Sequence, residues 1–140
     1  MCSKLIVVVT FVVSCGSVWA LIGEDGKQIE TRYGKPVPML GARGNYREVG
    51  YVCHGFMIFV QFMNGVSKSE SFARPDKSAI SPDSVEAILA LGASQGVTWR
   101  DLPPKEGDRF WSRSDGRAKA IFPAQGNFLI VQDPDFVEPE

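Results

Sequence analysis

The sequence predicts an α+β fold: an antiparallel sheet of about five to six strands carrying two short helices, in the order α-β-β-β-α-β-β-β. Three observations carry this. Two segments show helical apolar spacing with their own start and stop residues. Several apolar runs are separated by turn sequences such as Asn64-Gly65 and Asp115-Gly116. Strands joined by such tight turns must be antiparallel, which leaves helices packed on one sheet as the expected architecture.

Taken in order, Gly23 to Tyr33 reads as the first helix. Ile22, Ile29 and Tyr33 share a face, Glu24 and Asp25 suit the positive helix end, and Arg32 suits the last turn. Gly34 offers a left-handed stop and Pro36 prevents continuation. Pro36 to Asn45 reads as a loop. Arg47 to Cys53 is the first expected strand, and Phe56 to Met63 the second, with Gln61 its only polar residue. Asn64-Gly65 supplies the two positive-φ positions of a hairpin turn, and Val66 to Arg74 returns as the partner strand. Ser81-Pro82-Asp83 opens the second helix, with Ser81 as cap, Pro82 at the first helical position, and Val85, Ile88 and Leu89 as the apolar face ending near Gly92. Ala93 to Gly107, with Trp99 and Pro103-Pro104, reads as a loop. Phe110 to Arg113 and Arg117 to Phe122 form a second hairpin, and Phe128 to Gln132 a last strand. Asp133 to Glu140 is read as a frayed acidic tail.

The turn at Asn64-Gly65 fixes the register, pairing Met63 with Val66 and Phe59 with Glu70. One face then carries Phe56, Ile58, Val60 and Phe62 beside Ser67, Ser69, Ser71 and Ala73, and is expected to be core. The other carries Met57, Phe59, Gln61 and Met63 beside Val66, Lys68, Glu70 and Phe72. Its mixture of apolar and charged residues suits a half-exposed surface that binds a partner, with Met57, Phe59, Met63 and Phe72 as the contact residues. The competing expectation is that the second hairpin or the loop with Trp99 covers it.

The N-terminus determines the expected destination. Lys4 precedes the apolar run Leu5 to Val13, and Val18-Trp19-Ala20 has the small-residue pattern of a cleavage site, so residues 1–20 read as a secretory signal. The run is shorter than the roughly 20 residues of a membrane-spanning helix. Val12-Val13-Ser14-Cys15 also resembles a lipobox, and lipidation of Cys15 is the alternative. The expected location is thus periplasmic or extracellular, with a membrane anchor only if Cys15 is processed. Removal of Lys4 with the signal turns 15 basic against 16 acidic residues into 14 against 16, a net charge near −2. That balance gives no footprint for nucleic acid. Residues 21–132 are expected to form one domain. Of Cys2, Cys15 and Cys53, only Cys53 remains after cleavage at Ala20, so no internal disulfide is available and the core must hold the fold.

Catalytic motifs are missing. His54 is the only histidine. Read as neighbours on a strand, Cys53 and His54 point to opposite faces and make no dyad. One histidine and one cysteine make a poor metal site, and no nucleotide-binding or nucleophile motif is present. No catalytic residue, metal or cofactor is assigned. Asp76, Asp83, Glu86, Asp101, Glu106 and Asp108 could pair only through folding.

Ile29-Glu30-Thr31-Arg32-Tyr33-Gly34-Lys35-Pro36, followed by the hairpin from Phe56 to Phe72, resembles small exported bacterial proteins of the BamE/SmpA type, whose fold is related to that of the beta-lactamase inhibitor protein. The resemblance covers about residues 23–72. It implies a protein that binds other proteins, in outer-membrane assembly or as an inhibitor, and it transfers no individual residue. The sequence therefore leads to a non-enzymatic exported module that binds a protein partner. The alternatives are a small secreted enzyme with an acid-based site and a homodimeric structural component of the envelope.

Overall fold

The computed structural model describes residues 21–38, 41–93 and 96–140. The signal segment and Cys15 lie outside the described residues. Among those described, eight strands form one antiparallel sheet and two helices accompany it. The elements run α1 (Gly26–Tyr33), β1 (Gly41–Arg43), β2 (Tyr46–Cys53), β3 (Phe56–Met63), β4 (Val66–Ala73), α2 (Pro82–Leu91), β5 (Trp99–Lys105), β6 (Asp108–Arg113), β7 (Lys119–Phe122) and β8 (Phe128–Gln132). The α+β class holds, but the sheet exceeds the expected five to six strands. Both additions are edges: β1 lies in the expected loop 36–45, and β5 in the expected loop 93–107. Neither has the apolar alternation that announces a strand. Each exists through hydrogen bonding to one neighbour.

The sheet is two four-stranded meanders laid side by side, in the order β1-β2-β3-β4-β8-β7-β6-β5, with β4 and β8 joining the halves. Tight turns build the meanders. His54-Gly55, Asn64-Gly65 and Glu106-Gly107 each place both central residues at positive φ, between 50° and 87°. That conformation matches the twist of the flanking strands. His54 is thus a turn residue rather than part of an expected strand.

α1 starts later than expected, at Gly26. Asp25 caps it: its carboxylate accepts from the Gln28 N–H, and the Gln28 side chain accepts in return from the Asp25 N–H. Glu24 consequently lies before the helix, where it is buried. α2 begins as expected, with the Ser81 hydroxyl accepting from the Ser84 N–H and Pro82 opening the first turn. Ile29 and Tyr33 from α1 join Val85, Ile88 and Leu89 from α2 in a single buried cluster with Tyr51, Ile58, Val60, Phe62, Phe72, Trp111, Leu129 and Val131. Both helices therefore cover one face of the sheet. Trp99 fastens the β5 edge to α2 by donating its indole N–H to the Leu89 carbonyl at 2.7 Å.

One irregularity decides which residues are core. Gln61 pairs with Ser69 and Phe62 with Ser67, leaving Lys68 as an extra residue in β4. Such a bulge inverts the alternation beyond it. Val60, not Phe59, therefore opposes Glu70. Ser67 stays inward as expected, but Glu70 and Phe72 also turn inward, at 0% and 2% exposure, while Ser71 and Ala73 turn out. Ser69 is nevertheless buried, at 3%. The bulge is held from β8, because the Lys68 carbonyl accepts from the Asp133 N–H at 2.8 Å and its ammonium pairs with the Asp133 carboxylate at 3.1 Å.

Candidate functional site

The face of the sheet away from the helices carries an ordered set of side chains. Successive strand pairings align Gly50, Phe59, Ser71, Ile130, Ile121, Phe110 and Leu102 in one row across β2, β3, β4, β8, β7, β6 and β5. Phe59, Ile130, Ile121 and Phe110 are half-buried, and Leu102 is exposed. A second, shorter row is Val52, Met57, Ala73 and Phe128, in which Val52 is 56% exposed. On the other side of the apolar row runs a polar one: Glu48, Gln61, Ser69, Gln132, Lys119, Ser112 and Arg100. Ser71 stands between Phe59 and Ile130; Ile130, Ile121, Phe110 and Leu102 border one another on successive strands and make a patch rather than scattered exposed side chains.

Of the four residues expected to bind a partner, Met57, Phe59 and Met63 lie on this open face and are half-buried. Phe72 does not. The bulge at Lys68 turns it into the core, where its ring meets that of Tyr33 edge-on at a centroid distance of 6.3 Å. The expected cover for the open face is also corrected. The second hairpin and the strand bearing Trp99 extend the sheet sideways instead of folding over it. Sequence reasoning missed Ile130, Ile121, Phe110 and Leu102, which join the row of Phe59 only through the β4–β8 pairing. The acidic tail is tied down. Asp133 pairs with Lys68, the Tyr46 hydroxyl reaches Glu138 at 3.5 Å, and Arg43 donates to the Glu140 carbonyl. These contacts lie at the end of the sheet beyond the polar row.

A second feature is a cleft between the helices and the β2–β3 turn. Two adjoining hollows of about 340 and 260 Å³ share Tyr33, Cys53, His54 and Leu91 as lining. The turn geometry brings Cys53 and His54 to the same cleft, contrary to the opposite-face expectation. Its remaining lining is mainly apolar, including Phe56, Ile58, Ile88 and Ala87, with Arg32 at one end. No acid is among its described lining residues. Among the described residues, no group of three or more His, Cys, Asp or Glu forms a set able to hold a metal ion.

Carboxylates converge elsewhere, inside the core. Arg32 pairs with Glu24 and faces Glu70 at 3.5 Å, while the Tyr33 hydroxyl donates to Glu70 at 2.7 Å. Ser67 completes the surroundings, its hydroxyl oxygen accepting from the N–H groups of Gly23 and Glu24. Burial pushes the Glu70 carboxyl up to about 8, opposed by Tyr33 and Arg32 and reinforced by Glu24. Burial likewise raises the Tyr33 phenol. The acids singled out in the sequence do not form this group. Of those, Glu86 and Asp101 approach the exposed Arg109 at 4.0 and 3.4 Å. Exposed pairs of that kind contribute at most about 1 kcal/mol.

No family model matches the chain, and no curated protein matches it. Among solved structures, it is similar to a cysteine-rich secretory protein from Staphylococcus aureus, at 12% identity and a TM-score of 0.48 over 84% of this chain. The match spans 44% of that protein's length.

Proposed function

We propose that this chain is a non-enzymatic, exported protein-binding module that docks through the open face of its sheet. The observation that carries the reading is the apolar row from Phe59 to Leu102. It crosses six strands on the face that neither helix covers. Burying such a row against another protein removes apolar area from water, which is the dominant favourable term in association. Export is supported by the signal pattern of residues 1–20, and protein binding agrees with the BamE/SmpA resemblance. The acid-based enzyme reading is weaker, because the two converging carboxylates are sealed in the core around Arg32 and line no cleft with His54.

Phe59→Lys tests the reading. A lysine on a solvent-facing strand position leaves the isolated fold standing, whereas an interface must desolvate its charge. The expected result is a variant that still folds and melts cooperatively, with loss of the chain that the wild-type protein retains in affinity purification, a differently tagged second copy included. Equal retention by both proteins, or no retention by either, refutes docking through this face. A collapse of the melting temperature refutes it too, since Phe59 would then be a core residue.

A further inference from the structure

We propose that the occupant of the open face is a second copy of this chain, related by a twofold axis parallel to β8 and passing over Ile130. The proposal rests on the docking-face reading and names its partner. Such an axis reverses strand order while keeping each row on itself, so the rows that cross the axis must be complementary to their own reversal. The two rows that span all seven strands are. In the apolar row, Gly50 at one end meets the second copy's Leu102 at the other, and Ser71 meets Ile121. Small residues thus oppose large ones. Phe59 meets Phe110, and Ile130 meets itself on the axis. In the polar row, Glu48 lies at one end and Arg100 at the other, so Glu48 meets the second copy's Arg100. That charge contact occurs twice by symmetry.

Shape and area agree with this arrangement. A right-handed twisted sheet is saddle-shaped, and rotation about an in-plane strand axis maps a saddle onto itself, so two copies nest with strands aligned. Two rows across seven strands about 4.8 Å apart, with Phe128 of the shorter row, give a shared face of roughly 500 Å² in plan per partner, near the roughly 1,000 Å² in total that a specific interface needs. The edges offer no competing route. β1 has three residues, and β5 carries Pro103 and Pro104, which block strand addition.

The test is the mass of the purified protein in solution, by sedimentation or light scattering across a dilution series. A dimer is expected. Ile130→Lys places two ammonium groups on the axis and should give a folded monomer. Glu48→Arg and Arg100→Glu should each weaken the dimer roughly tenfold, and their combination should restore it, because the reversed pair attracts again. A double variant no tighter than either single variant overturns the proposed axis. A wild type that stays monomeric at about 100 µM overturns the second copy as occupant. If that monomer still retains another chain in a Phe59-dependent way, the docking face survives without it. If retention ignores Phe59, both readings fall. A dimer indifferent to Ile130→Lys also overturns the second copy as occupant of this face.

Discussion

Glu70 should make this protein less stable as the pH rises through neutrality, and Glu70→Gln should remove that dependence. The carboxyl is fully buried and its titration lies at about 8 instead of the ordinary 4.5. Between those values the folded chain holds a proton that the unfolded chain has released. Stability then falls with rising pH, because the unfolded state binds fewer protons than the folded one and rising pH favours it. The contribution is complete below about 4.5 and lost by about 8. At roughly 1.4 kcal/mol per pH unit of full difference, the loss across the window is on the order of 4 kcal/mol. For a domain of this size that is roughly 10–20 °C in melting temperature. Asp76, Asp115 and Asp133 do not interfere. Hydrogen bonds to Ser78 and to Arg113 lower the first two, backbone and Lys68 contacts lower the third, and all three act only below about 3.8. The raised tyrosines Tyr33, Tyr46 and Tyr51 act only above 10. Glutamine keeps the shape, accepts or donates toward Tyr33, and cannot ionise. The assay is thermal melting from pH 5 to 8 for both proteins. A wild-type melting temperature that is flat or rises over this range, or a Glu70→Gln profile parallel to a falling wild type, would refute the assignment.

Two further outcomes follow from the bulge and from the buried cluster. Phe72→Ala should cost about 3–5 kcal/mol as a buried aromatic truncation, against about 1 kcal/mol for Met57→Ala on the open face; urea unfolding of the two variants measures both, and equal costs would contradict the inverted register. Ser67→Ala should cost about 1–3 kcal/mol, because the Glu24 N–H loses its acceptor in a site with no exposure; denaturant midpoints at constant m-value check it.

How far the sequence reaches can be read from single residues. Ser81, Pro82 and the Val85-Ile88-Leu89 face fixed α2, and Asn64-Gly65 fixed the central hairpin, because caps, helical spacing and positive-φ turns are local requirements. Alternation groups Ile58, Val60 and Phe62 on one face, and the small residues expected opposite them pointed to that face as the inward one, which it is. Lys68 was not legible as a bulge. Nothing in Val66-Ser67-Lys68-Ser69 marks the extra residue, and its anchor, Asp133, is 65 positions away. That long-range contact turned Phe72 from an expected contact residue into core and drew Glu70 inside with it.

The edge strands show the same division. β5 is exposed along nearly its whole length and contains two prolines, so no pattern of its own makes it a strand; pairing with β6 does. The sequence by itself determined the two helices, the central hairpin and the one around Asp115-Gly116, the α+β class and three of the open-face residues, since each depends on neighbours a few positions apart. Only the tertiary structure decided the pairing of β4 with β8, the continuous apolar row that this pairing assembles, and the burial of Glu70 beside Arg32 and Tyr33. Those depend on segments far apart in the sequence, whose attraction is non-directional hydrophobic burial and leaves no spacing in the sequence.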